Sequence, residues 1–205
     1  MRQLLLSVIV ALGLAGCGGA LVEQTVPQTL AFAQVDAEET KIAELTEMLL
    51  RLGPGVDPEE AARVARIAVE EPLVWAKQWG VVDAPIIHNM QVNSGRKPRG
   101  LCKHWAEDLQ QRLKRENLQS LDLHRAIANY DSILIEHSTL IVSAKGAAWD
   151  QGIVVDPWRL GQGQLYFTPV KKDPKYRWLE RSQVFAIKRE RKARKAEREA
   201  RSGQG

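Results

Sequence analysis

The segment LDLHRAIANYDSILIEHSTLIVSAKGAAWDQGIVVDPWR, residues 121–159, decides the fold. It holds three short runs rich in Ile, Leu and Val, at 121–128, 134–142 and 152–155. Runs of this length bounded by turn-forming residues read as strands. Lys145-Gly146 and Asp150-Gln151-Gly152 are turn material between the second and third runs and predict a hairpin. Along the second run, two-residue alternation puts His137 on the face opposite Glu136 and Ser138, and Asp156 ends the third run. Two neighbouring antiparallel strands therefore offer a histidine beside a carboxylate.

Upstream of these strands the period changes from two to between three and four. Ile42, Leu45, Leu49 and Leu52 mark one buried face of a helix over 38–52, which Gly53-Pro54-Gly55 stops. Asp57-Pro58-Glu59-Glu60 supplies an N-cap acceptor, a proline at the first helical position and a Glu three residues after the cap. A second helix is expected from there to about Trp79, with Val64, Ile67, Ala68, Trp75 and Trp79 inward and a kink at Pro72. Residues 81–100 carry Pro85, Gly95 and Pro98 and read as mostly loop, with Ile86 and Ile87 buried. A third helix is expected over 101–118, with Trp105, Leu109 and Leu113 on its buried face. Helices first and strands after indicate an α+β domain rather than alternating βαβ units.

The 205 residues are 44% hydrophobic and 26% charged, an ordinary globular composition. Two cysteines, Cys17 and Cys102, exclude a disulfide framework. The net charge of +4 is uneven: residues 171–205 hold 13 Lys and Arg against 5 Asp and Glu, while 18–170 hold 15 against 20. Arg2 and the apolar run from Leu4 to Leu14 have the form of a secretory signal, too short for a mature membrane span. The run ends in Leu14-Ala15-Gly16-Cys17, which resembles the bacterial lipobox. That resemblance implies a signal peptide over 1–16 and a mature chain that starts at a diacylglyceryl-modified, further acylated Cys17. Acyl chains hold a protein on a membrane without a spanning helix. Gly18, rather than Asp, after the modified cysteine resembles cargo sent to the periplasmic face of the outer membrane. Residues 17–37 then read as a lipidated tether, 38–180 as the α+β domain, and 181–205 as a basic tail, helical but fraying into disorder.

Cys102 opens its helix just after Pro98-Arg99-Gly100, where oriented N–H groups and the positive dipole end favour a thiolate. A nucleophile needs such a thiolate, a base, and a group that orients the base. Cys102 at a helix N-terminus, His137 on one strand and Asp156 on the next meet that description. A lone cysteine is otherwise a small buried hydrophobe, and that reading stands beside the catalytic one.

The order Cys, His about 35 residues on and Asp about 19 further resembles the transglutaminase-like branch of the papain-like cysteine enzymes. Gly100-Leu101-Cys102-Lys103-His104-Trp105-Ala106 is similar to the family's cysteine segment, and Val155-Asp156-Pro157-Trp158 to its aspartate segment. The similarity covers about residues 86–160. It implies a papain-like fold in which the cysteine's helix packs on a small antiparallel sheet, and acyl transfer through a thioester with no cofactor. Cys102 would attack an amide or peptide carbonyl, His137 would protonate the leaving amine, and Asp156 would orient the imidazole. The Cys102 backbone N–H is the first oxyanion donor, and Gln91, Asn93 and Trp105 compete for the second. Water as acceptor gives a hydrolase such as a peptidase or amidase, and an amine gives a transferase. The alternative is an envelope binding or scaffolding lipoprotein that keeps the fold without turnover.

Among the other histidines, His104 points about 200° from Cys102 around the helix, His88 caps a turn or supports the site, and His124 is a core or edge residue. No paired short-spacing motif suggests a metal. Trp149 and Trp158 are candidates to shield the site or line a cleft. The location points to peptides, envelope proteins or peptidoglycan as substrates and to anionic envelope surfaces for the tail, and it argues against nucleic acid.

Overall fold

Asp57 sits in extended backbone, and its side chain accepts from the Glu60 N–H, capping α2 (Pro58–Gln78). Glu60 itself is buried and accepts from the backbone N–H groups of Gln119 and Ser120 and from the Ser120 hydroxyl. The start of α2 is thereby tied to the segment that leads into the first strand. The computed structural model describes residues 28–132 and 135–202. The expected signal peptide, Cys17 and residues 17–27 of the expected tether lie outside these residues.

The remaining helices are α1 (Gln28–Leu50), α3 (Pro85–Asn93), α4 (Cys102–Lys114) and α5 (Arg181–Ser202). The strands are β1 (Leu121–Ala128), β2 (His137–Ala144), β3 (Ile153–Asp156), β4 (Tyr166–Pro169) and β5 (Trp178–Glu180). They form one antiparallel sheet in the order β4-β3-β2-β1-β5. Four strands follow one another as a meander, and β5 returns to the free side of β1. The architecture is α+β, with helices before the sheet and one helix after it.

On one face of the sheet, Leu121, Leu140, Val142, Ile153 and Val155 pack with Leu45 and Leu49 of α1, Val64 and Ala68 of α2, and Leu109 and Leu113 of α4. On the other, Ala126, Ala128, Ile141 and Val154 pack with Val170, Tyr176 and Trp178. Both faces are covered, so central β2 is buried almost throughout and its burial shows no alternation.

Several boundaries differ from the sequence reading. Helix α1 begins ten residues before residue 38. Its residues 33–37 are exposed and bury no periodic face, so they leave no pattern to read. Residues 81–100 are not mostly loop: Pro85 starts the nine-residue α3. Ile86 and Ile87 are 59% and 48% exposed, and the buried side chain on that helix is His88. Helix α4 stops at Lys114, short of residue 118, and Leu118 packs against the core from the following loop. β4 and β5, of four and three residues, were not anticipated. The basic tail is helical to Ser202, carried by spaced charge pairs such as Arg194 with Glu190 and Lys195 with Glu199, and only Val184 is buried.

Candidate functional site

Cys102 is the first residue of α4, and its N–H belongs to the helical turn whose donors have no partner within the helix. The turn is tightened from inside. The Trp105 indole N–H donates to the Gly100 carbonyl at 2.8 Å, and His104 Nδ1 accepts from the Gly100 and Leu101 N–H groups at 3.3 and 3.4 Å. Burial, then Arg99 and Lys103, lower the His104 pKa, consistent with a neutral ring that accepts at Nδ1. His88 Nε2 lies 2.8 Å from the Arg99 carbonyl and must carry the hydrogen there, so the buried ring braces the approach to Cys102 rather than capping a turn.

The half-buried Cys102 thiol points to the start of β2, with Sγ 3.9 Å from the Glu136 carbonyl oxygen. The next residue is His137, 2% exposed and ringed by aromatics: its centroid lies 4.6 Å from Trp158, 4.7 Å from Tyr176 and 5.4 Å from Trp178. His137 Nε2 is 2.7 Å from Asp156 Oδ2. A carboxylate only accepts, so Nε2 carries hydrogen and the neutral tautomer leaves Nδ1 as the basic nitrogen. Nδ1 is buried and has no hydrogen-bond partner among the described residues. Burial pushes the imidazole down, but the charge and hydrogen bond of Asp156, helped by the neighbouring Cys102 thiol, hold it at about 9.

Asp156 is in turn held from behind. Its Oδ2 also accepts from Arg159 Nε at 3.0 Å, and Oδ1 accepts from the Trp158 N–H at 3.2 Å. The other edge of the Arg159 guanidinium grips Asp173 through two bonds of 3.1 and 2.7 Å, and its plane lies over Tyr166, with Cζ 3.9 Å from the ring centroid. Asp173 further accepts from the Lys175 and Tyr176 N–H groups and from the Trp178 indole. Burial opposes its ionisation, yet Arg159 and these donors keep its carboxyl at about 2. With His137 protonated, the buried quartet of two cations and two anions is neutral, which favours retention of the histidine's proton.

The structure thus brings Cys102, His137 and Asp156 together at one end of the sheet. Of the three side chains named for the second oxyanion position, the Trp105 indole N–H is committed to Gly100, and Gln91 Nε2 donates to Asp83 at 2.7 Å. Asn93 is exposed at the end of α3. Trp158 walls the site and is fixed by its indole bond to Asn89 at 3.1 Å, whereas Trp149 packs on the sheet core. His124 bonds Ser143 across the β1–β2 pair at 2.9 Å. Sequence reasoning missed Arg159 and Asp173; the three-residue spacing from Asp156 to Arg159 was the one local signal for the first. Among the described residues no three His, Cys, Asp or Glu side chains are grouped to hold a metal. No described helix is long and apolar enough to cross a membrane.

The space between His88, Gly100, Trp105 and Trp158 amounts to about 10 Å³. A cavity of about 530 Å³ lies elsewhere, between α1, α2 and the loops that hold Val82 and Gln162. In comparisons with known proteins, no family model, no curated protein and no solved structure matches the chain.

Proposed function

We propose that this chain is a lipid-anchored cell-envelope enzyme of the transglutaminase-like, papain-like type, in which Cys102, His137 and Asp156 cleave or transfer amide-linked acyl groups. The observation that carries the reading is the polarity of the His137 ring. Nε2 is committed to Asp156, and the remaining nitrogen, without a hydrogen-bond partner among the described residues, belongs to a ring whose raised pKa Cys102 itself supports. A protonated imidazole beside a sulfur favours the thiolate form that attacks carbonyls.

In this reading the Cys102 thiolate adds to the carbonyl carbon, and the oxyanion is met by unpaired N–H groups in the first turn of α4. Collapse breaks the C–N bond as His137 delivers its Nδ1 proton to the leaving amine, leaving a thioester on Cys102. A water molecule or acceptor amine then gives a proton back to Nδ1 and attacks the thioester, and sulfur leaves. Asp156 accepts from Nε2 throughout and keeps the ring in one tautomer. The lipobox-like segment ending at Cys17 supports the envelope location, on the periplasmic face of the outer membrane, with peptides, envelope proteins or peptidoglycan within reach.

A second reading, a non-catalytic envelope scaffold, draws on the near-complete burial of His137 and the roughly 10 Å³ space between Gly100, Trp105 and Trp158. Alkylation of the full-length protein by iodoacetamide, read by peptide mass mapping at neutral pH, separates the two. A reactive centre alkylates Cys102 faster than a free thiol does and loses that advantage in His137→Ala; a scaffold reacts no faster than a free thiol. Incorporation of a palmitate analogue that disappears in Cys17→Ser tests the anchor.

A further inference from the structure

The acidic side chains near Cys102 are paired off. On α4, Asp108 is bonded by Arg99 at 2.7 Å, and Glu107 lies 4.0 Å from the same guanidinium. Glu136, which precedes His137, is paired with Lys188 of α5. Three cations lack a carboxylate partner among the described residues: Lys103, exposed on the first turn of α4, and Arg125 and Arg181, which lie side by side. Arg125 projects from β1 toward the first turn of α4. Its Nη2 donates to the carbonyl of Lys103, the residue after Cys102, at 3.3 Å, and its Nε is buried with no acceptor.

Arg181 is brought to Arg125 by strand register. Ala126 pairs with Glu180 and Ala128 with Trp178, where the ladder ends; Arg125 precedes the first of these pairs on β1 and Arg181 follows it as the first residue of α5, so the two are neighbours. Arg181 is exposed, and its guanidinium lies over the Phe185 ring of its own helix, with no hydrogen-bond acceptor among the described residues. Burial, and then the repulsion of Arg181, lower the Arg125 pKa, while Glu107, then Cys102 and Asp108, favour its charge from beyond ion-pair distance. A half-buried guanidinium with an unused N–H, held next to a second cation without a counter-ion, is the donor set that a planar carboxylate satisfies.

We propose that Arg125 and Arg181 form a carboxylate-recognition subsite beside Cys102, so that the preferred acyl substrates of the centre are amides carrying a carboxylate close to the scissile carbonyl. The inference rests on the thiol chemistry proposed above and deepens it by naming a substrate class. An incoming carboxylate would offset the repulsion between the two guanidinium groups.

The test compares alkylation of Cys102 in the full-length protein by iodoacetate and iodoacetamide, which transfer nearly isosteric groups and differ in charge. The expected result is an iodoacetate-to-iodoacetamide rate ratio above that of a free thiol. The ratio should fall by about two- to fivefold in Arg125→Met and in Arg181→Gln, the scale of a solvent-touched ion pair. Because Arg181 is exposed, its variant tests the subsite even if Arg125→Met unfolds. The His137 imidazolium is common to all forms, so its attraction for anions does not account for a change between them. Fast iodoacetamide reaction with a ratio unmoved in Arg181→Gln overturns the subsite alone. Absence of fast reaction with either reagent overturns the thiol chemistry and the subsite with it.

Discussion

Asp156 Oδ2 lies 2.7 Å from His137 Nε2, and the two side chains are 1% and 2% exposed. A bond so enclosed is not exchanged for water, so the identity of the acceptor fixes both the tautomer and the charge of the ring. Asp156→Asn keeps the shape and removes the charge. Burial then dominates, and the His137 pKa should fall from about 9. Each unit of that fall corresponds to about tenfold less imidazolium above the pKa. Cys102 alkylation at neutral pH is expected to drop by about tenfold or more, with far-ultraviolet circular dichroism unchanged. Unaltered reactivity in this variant would remove Asp156 from the proposed mechanism.

The same pair makes stability depend on pH in a defined direction. His137 binds its proton more tightly in the folded chain, at about 9 against an ordinary 6.5. Its contribution is fully present below about 6.5 and is lost as pH rises through about 9. Melting temperature should therefore decline across that window in the wild type and decline less in His137→Gln. A wild-type curve that rises across this interval contradicts the buried imidazolium.

Arg159 depends on Asp173 more than on Asp156, since two of its three bonds to acids go there. Asp173→Ala removes a counter-charge from a guanidinium whose side chain is only 6% exposed. Breaking one side of a buried pair costs about 3–5 kcal/mol, and urea unfolding should show a loss of that order. In the wild type the contribution of Asp173 holds above its ordinary 3.8 and disappears as pH falls toward about 2, because the folded carboxyl resists protonation to that point.

Glu60 provides a site-independent comparison. It accepts three hydrogen bonds from Gln119 and Ser120 while buried at the start of α2. Glu60→Ala leaves those donors unsatisfied and should destabilise the fold by about 3 kcal/mol, on the scale of charge-assisted bonds. Under native conditions Cys102 alkylation is expected to stay close to wild type, because the bonds lie at the opposite end of α4 from the thiol. A large loss of reactivity without unfolding would show the site to be coupled to the α2 cap.

The proximity of Cys102, His137 and Asp156 was legible because Cys102 opens a helix and His137 and Asp156 fall in neighbouring strand runs, although the run read from 134 begins as β2 only at His137. The clamp behind them was not. Asp173 is 14 residues from Arg159, beyond a turn containing Gly161 and Gly163 and the short strand β4, and no periodicity links positions across such a segment. Helix α3 was hidden by the same prolines and glycines that mark loops, and the pairing of Ile86 with Ile87 suggested burial where the helix turns His88 inward instead. Arg125 read as one more strand residue, since a missing counter-ion is a property of three dimensions.

Gly100 joins this support to the nucleophile. Its φ is +121°, a conformation that favours glycine, and a Cβ there would meet the ring of His88 inside contact distance. His88 is 1% exposed and bonded to the Arg99 carbonyl, so it has no open space to yield into. Gly100→Ala therefore combines backbone strain of about 1–3 kcal/mol with overpacking of about 1–3 kcal/mol, and both act two residues from Cys102. Lower stability and slower alkylation of Cys102 are expected together. His88→Ala removes the ring and so the steric part of the penalty, while the backbone strain remains. A double-mutant cycle over Gly100→Ala and His88→Ala should then give a favourable coupling of about 0.5–3 kcal/mol; strictly additive energies would mean that the two residues do not meet.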